Sequence, residues 1–265
     1  MNGRVLAIAG SDSGGGAGIQ ADIKTVTALG GYAMTAVTAL TAQNTRGVFG
    51  ISDVDPAFVA QQIELCLTDI GADAIKTGML HSVAVIEAVS EAIVAHGSGI
   101  PLVADPVMVA KGGEPLIEGD AAAAIKRSLF PHVSLLTPNL PEAEALAGLA
   151  IGDLEEQKAA ALTMLTLGPE AVLIKGGHRE GPQIHDVLAT REGIEVFTSP
   201  RIDSTSTHGT GCTLASAIAT GLAQTLDLRD AVLRARAYVQ QAIRSAPGLG
   251  GGHGPLNHGH TIPGS

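Results

Sequence analysis

Short runs of apolar residues alternate along this chain with longer segments in which apolar positions recur every three or four residues. The runs predict β-strands at 4–10, 32–44, 73–78, 101–105, 132–139 and 171–177, and the longer segments predict helices at 20–30, 55–71, 82–97, 120–130, 154–168, about 210–223 and 229–244. Residues 184–197 have the pattern of a hairpin that turns at Glu192–Gly193. Strands that alternate with helices favour right-handed βαβ units. We therefore expect one domain of the α/β class, with a mostly parallel sheet covered by helices on both faces.

Glycine-rich or polar stretches follow most of the predicted strands. In chain order they read GSDSGGGAG, TAQN, KTGM, DPVM, TPN and KGGH. Ligands of open α/β sheets bind beyond the carboxyl ends of the strands. We therefore expect these stretches to meet at one edge of the sheet and to form a ligand site there.

The composition restricts the class of protein. The chain has 265 residues, of which 45% are hydrophobic and 16% charged, and its formal net charge is −10. This balance is typical of a folded domain with a sizeable core, and the lack of a basic stripe argues against a nucleic-acid partner. Cys66 and Cys212 are the two cysteines, too few for a disulfide scaffold. With no signal-peptide pattern and no apolar run of about 18 residues, we expect a cytoplasmic protein without membrane contact.

The stretch HGTGC at 208–212 stands directly before a predicted helix. The N-terminus of a helix offers unpaired N–H groups and the positive end of a dipole, and glycines let such a turn wrap an anion. Gly209, Thr210 and Gly211 are therefore a candidate anion hole. We expect the same field to lower the pKa of Cys212, whose thiolate would take a proton from an alcohol. The alternative is a tight turn in which Cys212 only fills space.

Four other residues have a structural and a functional interpretation each. Asp105 stands at the end of a predicted strand, where its side chain could cap a turn or bind a metal ion. Asn139 and Glu142 are three residues apart, which suits a capping box, or a Glu142 that holds Mg²⁺ through water. Lys175 ends a buried strand and needs a partner, either a phosphate or a buried carboxylate.

Several familiar motifs are absent from the sequence. It contains no G-x-x-x-x-G-K-[ST] run, no G-x-G-x-x-G after a strand and no H-E-x-x-H. The histidine pair in HGH at 258–260 lies near the end of the chain, and we expect it to belong to an exposed tail. Gln43, in TAQN, suits an amide-like or heterocyclic ligand edge, although a single glutamine says little.

Taken together, these stretches resemble a known family. AIAGSDSGGGAGIQADIKT, TALTAQNT, KTGML, DPVM, TPNLPEAE, KGGH, HGTGCTLASAIA and GPLNH occur in this order through almost the whole chain. This set resembles the bacterial hydroxymethylpyrimidine/phosphomethylpyrimidine kinases of thiamine biosynthesis, in the ribokinase-like superfamily. The resemblance implies a three-layer α/β/α sandwich, with one kinase domain at 1–258 and a tail at 259–265. It also implies ATP as co-substrate, Mg²⁺, a homodimer, and two successive phosphorylations of 4-amino-5-hydroxymethyl-2-methylpyrimidine.

The resemblance also implies roles for individual residues. Cys212 stands where most ribokinase-like enzymes have an Asp base, and residues 209–211 form the anion hole beside it. The implied nucleotide and metal residues are Asn139, Lys175 and Thr210 for ATP, and Asp105 and Glu142 for Mg²⁺. The implied pyrimidine pocket consists of Gly10, Asp22, Gln43, Met79 and Val107. Residues 107–121 correspond to a mobile flap.

Three other functions remain open from the sequence. Some relatives with the same cysteine-bearing turn accept pyridoxal, so a pyridoxal kinase is the nearest alternative. An acyl-transfer enzyme would use Cys212 as nucleophile with His208 as its base. A binding protein without catalysis would keep only the pyrimidine pocket.

Overall fold

The computed structural model describes residues 1–109, 116 and 120–262, and these form one twisted layer of strands between two layers of helices. The strands are β1 (Arg4–Asp12), β2 (Tyr32–Asn44), β3 (Gly47–Asp53), β4 (Ala74–Thr77), β5 (Leu102–Ala104), β6 (Leu135–Leu136), β7 (Ala171–Ile174), β8 (Gln183–Thr190) and β9 (Gly193–Pro200). They pair in the order β3-β2-β1-β4-β5-β6-β7-β8-β9. The strands from β2 to β7 in this order are parallel, whereas β3, β8 and β9 join as antiparallel neighbours.

Helices cover both faces of the sheet. They are α1 (Gly18–Ala28), α2 (Pro56–Leu65), α3 (Val83–His96), α4 (Ala121–Ala124), α5 (Leu140–Ala147), α6 (Leu154–Leu165), α7 (Thr210–Ala223) and α8 (Leu228–Arg244). Successive residues of β1 point to opposite faces of the sheet. Val5 packs into a cluster with α1, α7 and α8, and Leu6 packs into a larger cluster with α2, α3 and α6. The predicted α/β sandwich with a mostly parallel sheet is confirmed. Among the described residues, no helix has both the length and the apolar character needed to cross a bilayer.

Some element boundaries differ from the sequence predictions. The helix predicted at 55–71 is α2 followed by a π-helical turn at Cys66–Ile70, and Asp55 caps it as expected, accepting hydrogen bonds from Ala57 and Phe58. The helix predicted at 120–130 is only α4, followed by a π-helical turn and a 3₁₀ turn. The hairpin turns one residue earlier than predicted, because Thr190 pairs with Gly193. β3 was not predicted, because its alternation is weak and it pairs only along one edge.

The histidine pair near the end of the chain is packed rather than exposed. His258 is 8% exposed, and its Nδ1 lies 3.2 Å from the hydroxyl of Tyr238 and 3.4 Å from that of Thr25. The ring of His260 lies against Tyr238, with centroids 4.7 Å apart. Burial lowers the pKa of His258 to about 4, so the buried ring is uncharged at neutral pH. The expectation of an exposed pair was therefore wrong.

Candidate active site

A cavity of about 820 Å³ opens where the carboxyl ends of the parallel strands meet. Its wall contains residues that end or follow six strands, from β1, β2, β4, β5, β6 and β7. Of the predicted site residues, it includes Gly10, Gln43, Met79, Val107, Asp105, Asn139, Glu142, Lys175, Gly209, Thr210, Gly211 and Cys212. The structure thus brings together the stretches that the sequence places after the strands. Most of the predicted flap, 110–115 and 117–119, lies outside the described residues.

The first turn of α7 forms a concave row of backbone amides. Gly209 is the N-cap, with φ of 82°, and a methyl group there would overlap the carbonyl oxygen of Gly16. A methyl group on Gly211 would lie 3.2 Å from both Asp105 Oδ2 and Lys175 Nζ. Within the described chain, the N–H groups of Gly211 and Cys212 donate to no protein acceptor. These donors, at the positive end of a fourteen-residue helix, suit a phosphate oxygen.

The pKa of Cys212 differs in direction from the sequence prediction. Burial raises it to about 11; the charge of Lys76 opposes this shift, and the carboxylates of Asp22 and Asp105 add to it. The helix field was expected to lower this pKa, but the loss of solvent around the sulfur outweighs it. Cys212 is therefore a thiol at neutral pH before substrate binds.

Asp22 was predicted to line the pyrimidine pocket, and the structure places it behind the cavity wall. It is 0% exposed, and both carboxylate oxygens lie 2.9 Å from Nζ of Lys76, which is equally buried. Ser216, on α7, donates a third hydrogen bond of 2.7 Å. Burial alone would lower the pKa of Lys76, but the Asp22 carboxylate raises it above its ordinary value, so the pair is ionic. Asp22 therefore lies behind the residues that line the cavity and is bonded there to Lys76 and to Ser216 of α7.

We expect Asp22→Ala to lower the free energy of unfolding by about 3–5 kcal/mol at pH 7, because it leaves the ammonium of Lys76 buried without a counter-charge. Urea denaturation measures this loss. The double variant Asp22→Leu with Lys76→Met is expected to be more stable than Asp22→Ala, since no charge remains buried. Equal stabilities of the two variants would contradict an ionic pair.

Lys175 and Asp105 form an ion pair on the cavity wall. Nζ of Lys175 lies 2.6 Å from Asp105 Oδ1, and the hydroxyl of Thr137 donates to the same oxygen at 3.2 Å. Burial alone would lower the pKa of Lys175, but Asp105 and Glu142 raise it. The carboxylate partner considered for Lys175 is therefore Asp105, which is buried, and the phosphate partner stays a prediction. Within the described residues, the Asp105 side chain accepts no backbone hydrogen bond, so it is not a turn cap. The ammonium stands beside the amides of α7, within reach of the same anion.

Asn139 and Glu142 form the capping box of α5. The Asn139 side chain accepts from Glu142 N at 2.9 Å, and the Glu142 carboxylate accepts from Asn139 N at 2.8 Å. Burial raises the pKa of Glu142 to about 7, with Lys175 opposing and Asp105 adding to the shift. The structural interpretation of this pair is confirmed, and it leaves Oε1 of Glu142 without a role in the cap.

The region around β1 and β2 forms the other end of the cavity. Gly10 and Met79 are in contact: a methyl group on Gly10 would lie 3.0 Å from Cε of Met79. Val107 packs with Met79 and with Leu116 in a small apolar cluster. The Gln43 amide lies at this end of the cavity, 3.1 Å from Thr41 Oγ1 and 3.2 Å from His208 Nε2. An apolar surface beside a few placed polar groups suits a small heterocycle.

Comparison with known proteins identifies the chain. A family model described as phosphomethylpyrimidine kinase matches residues 12–257. The chain belongs to the phosphomethylpyrimidine kinase family. Members of this family are phosphotransferases, and the ribokinase-like fold expected from the sequence is the fold observed.

Known proteins are similar to this phosphomethylpyrimidine kinase family member over nearly its whole length. The thiamine biosynthesis bifunctional protein ThiED of Geobacter sulfurreducens is 54% identical over 256 residues, which cover 97% of the chain but 52% of that protein, so the chain spans about half of its length. The hydroxymethylpyrimidine/phosphomethylpyrimidine kinase of Streptomyces coelicolor is 45% identical, covering 97% of the chain and 95% of the relative. A solved pyridoxal kinase of Staphylococcus aureus, in complex with AMP-PCP and pyridoxal, superimposes with a TM-score of 0.88 at 33% identity, covering 98% and 94% of the two chains.

Besides Asp22–Lys76, two buried pairs in the site of this family member were missed by the sequence analysis. Asp186 accepts a hydrogen bond of 2.9 Å from Gly176 N, next to Lys175, and is paired with Arg236 at 2.8 Å. Asp12 is paired with His208 at 2.8 Å. The available signal was a charged residue at a position that the apolar pattern assigns to the interior, as for Arg236 in α8.

Proposed function

We propose that this protein is an ATP-dependent kinase that phosphorylates 4-amino-5-hydroxymethyl-2-methylpyrimidine and then phosphorylates the monophosphate to the diphosphate. One observation carries the proposal: the unpaired amides of Gly211 and Cys212, with Lys175 beside them, face the same cavity as the Gln43 amide. A phosphate site and a heterocycle site therefore share one space. The names of relatives at 45–54% identity support this substrate class.

The proposed reaction uses these groups mainly to position reactants and to stabilise charge. Phosphoryl transfer has a loose transition state, so catalysis depends on in-line placement and on donors aimed at the phosphoryl oxygens. The α7 amides hold the migrating group, and Lys175 neutralises the nucleotide phosphates. In the first step the thiolate form of Cys212, a minor species at neutral pH because burial raises the pKa to about 11, accepts the proton of the substrate hydroxyl and becomes the thiol. In the second step the acceptor is a phosphate that is already ionised at neutral pH, so it needs no base.

Asp105 and Glu142 are the proposed residues for Mg²⁺. The donor set fits this ion, since Mg²⁺ usually keeps several waters and takes one or two carboxylates together with substrate phosphates. Among the described residues, no group of three His, Cys, Asp or Glu side chains is arranged to hold a metal alone, in agreement with a site completed by a nucleotide. When bound, the ion would supply positive charge to the phosphates. The two carboxylates would orient it beside Lys175.

The proposed cellular setting is the cytoplasm, with the protein as a homodimer. Phe49 on the edge strand β3 and Leu40 on its neighbour β2, exposed by 73% and 52%, give this end of the sheet an apolar surface that supports association. The acyl-transfer alternative is disfavoured. In the described structure no hydrogen bond joins His208 to Cys212, and Nε2 of the histidine faces Asp12.

Pyridoxal kinase activity is the second candidate, favoured by the close superposition on the Staphylococcus aureus enzyme. ADP release with the pyrimidine alcohol, its monophosphate and pyridoxal, each with ATP and Mg²⁺, separates the two. We expect kcat/KM for both pyrimidines to exceed that for pyridoxal by at least about tenfold, because the Gln43 amide complements an aminopyrimidine edge. Turnover of pyridoxal alone would establish the second candidate. Binding of the pyrimidine without any ADP release would indicate a protein that binds without catalysis.

A further inference from the structure

Asp12 is the centre of a buried hydrogen-bond network between the two ends of the cavity. Its Oδ1 accepts from Gly14 N at 2.7 Å, and its Oδ2 accepts from Gly16 N at 2.9 Å and Ala17 N at 2.8 Å. The fourth donor is Nε2 of His208, at 2.8 Å. Asp12 is 3% exposed and His208 8%. The carboxylate therefore ties the glycine-rich loop after β1 to the turn that precedes the anion hole.

This network determines where the hydrogen on His208 lies. All four neighbours of Asp12 are nitrogen atoms, and an ionised carboxylate only accepts hydrogen bonds. Although burial opposes it, the hydrogen bonds from His208 and the backbone lower the pKa of Asp12, so it is ionised at neutral pH. Nε2 of His208 must then carry a hydrogen and act as a donor.

That donor restricts the neighbouring amide. With Nε2 of Gln43 at 3.2 Å from Nε2 of His208, two donors would face each other. On the other side, Thr41 has a single hydroxyl hydrogen and two groups within reach of it, Ser11 O at 3.0 Å and the Gln43 amide at 3.1 Å. With the amide nitrogen turned toward Thr41, the hydroxyl donates to Ser11 O, and Oγ1 accepts a hydrogen bond from that nitrogen. Since amide oxygen and nitrogen are assigned from such networks, His208 selects the turned orientation, and Thr41 completes it as an acceptor.

We infer that Asp12, acting through His208, and Thr41 are positioning residues that hold the Gln43 amide with its oxygen toward His208 and its nitrogen toward Thr41. The backbone of Gln43 is also fixed, because Ser13 Oγ accepts a hydrogen bond from Gln43 N at 2.9 Å and donates one to Gln43 O at 3.0 Å. A change in the amide orientation therefore requires rotation of the side chain itself. One N–H and one oxygen lone pair of the amide remain free. Together they match a ring nitrogen beside an exocyclic amino group.

The consequence, which rests on the proposed function, is substrate discrimination. An aminopyrimidine offers an acceptor next to a donor and bonds to both free positions of Gln43. Pyridoxal has no amino group beside its ring nitrogen, so one buried amide group would stay unpaired in its complex. Asp12, His208 and Thr41 thus determine the preference for the pyrimidine through the orientation of the Gln43 amide.

The first test needs neither a variant nor activity. Nitrogen-15 NMR of the histidine rings in the full chain, with His208 assigned from the spectrum of His208→Asn, is expected to show a hydrogen on Nε2. A neutral His208 with its hydrogen on Nδ1 would overturn the inference. Because this result does not depend on turnover, it can overturn the inference even if the protein phosphorylates neither compound.

The second test measures kcat/KM for the pyrimidine alcohol divided by that for pyridoxal. Thr41→Val and Asp12→Asn are expected to lower this ratio by about tenfold or more with the KM for ATP unchanged, because the amide is then free to turn. Thr41→Ser is expected to restore the ratio. Thr198→Val, which removes another threonine hydroxyl bonded to a histidine, serves as the matched control. A wild-type ratio in a folded Thr41→Val would overturn the inference.

Discussion

Replacing Gly209 with alanine is expected to lower kcat/KM of both phosphorylation steps by at least about 10²-fold. The backbone at 209 is left-handed, with φ of 82°, and a Cβ there overlaps the carbonyl oxygen of Gly16. The turn must move to admit the methyl group, and the amides of Gly211 and Cys212 move with it. The loss of one aligned donor costs about 10²–10³ in rate in comparable anion holes. ADP release with the alcohol and with the monophosphate measures the effect.

Gly148 provides the matched control for this substitution. It is also left-handed, with φ of 70°, but lies at the C-cap of α5 with no atom near the position of a Cβ. Gly148→Ala therefore imposes similar backbone strain, about 1–2 kcal/mol, without a collision and away from the cavity. We expect it to reduce stability and to leave both activities unchanged. Near-wild-type turnover by Gly209→Ala would contradict the assignment of this turn as the phosphate site.

The sequence was sufficient to predict the fold class and the edge of the sheet at which most of the candidate residues meet. β1 and β7 are buried on both faces, so each appears as an uninterrupted apolar run that needs no partner to be recognised. The topology rule for parallel sheets then places the stretches after the strands at one edge. Lys175 and Asp105, which follow β7 and β5, are neighbours in the structure for that reason, although 70 positions separate them.

Protonation and pairing could not be predicted in the same way. Asp22 and Lys76 are 54 positions apart, and nothing in their local sequence indicates that they meet. The pKa of Cys212 depends on how much solvent the folded chain removes from the sulfur, which no motif records. The resemblance to known kinases grouped residues that, apart from Asp22, line one cavity, whereas Asp22 is buried behind its wall.

Replacing Cys212 with alanine is expected to lower kcat for the pyrimidine alcohol by about 10²–10⁴-fold and to leave phosphorylation of the monophosphate within a few-fold of the wild type. The factor is the usual contribution of a general base, and only the alcohol has a proton to lose in the reaction. Alanine fits the space of the thiol, so the amides of the first turn stay in place. Parallel ADP-release assays on the two substrates measure the difference. Equal losses in both steps would show that Cys212 supports the anion hole rather than accepting a proton.

The pH dependence provides a second, independent criterion for Cys212. With a pKa raised to about 11 by burial, the fraction of thiolate at pH 7 is roughly 10⁻⁴. The pKa lies above the whole assay range, so the thiolate fraction rises about tenfold with each pH unit between 7 and 9. The rate of the first step should rise with it in the wild type and lose this dependence in Cys212→Ala. The second step should stay flat above pH 7 in both proteins, because its acceptor is ionised near pH 6. A first step that is equally flat would mean that the alcohol loses its proton to another group.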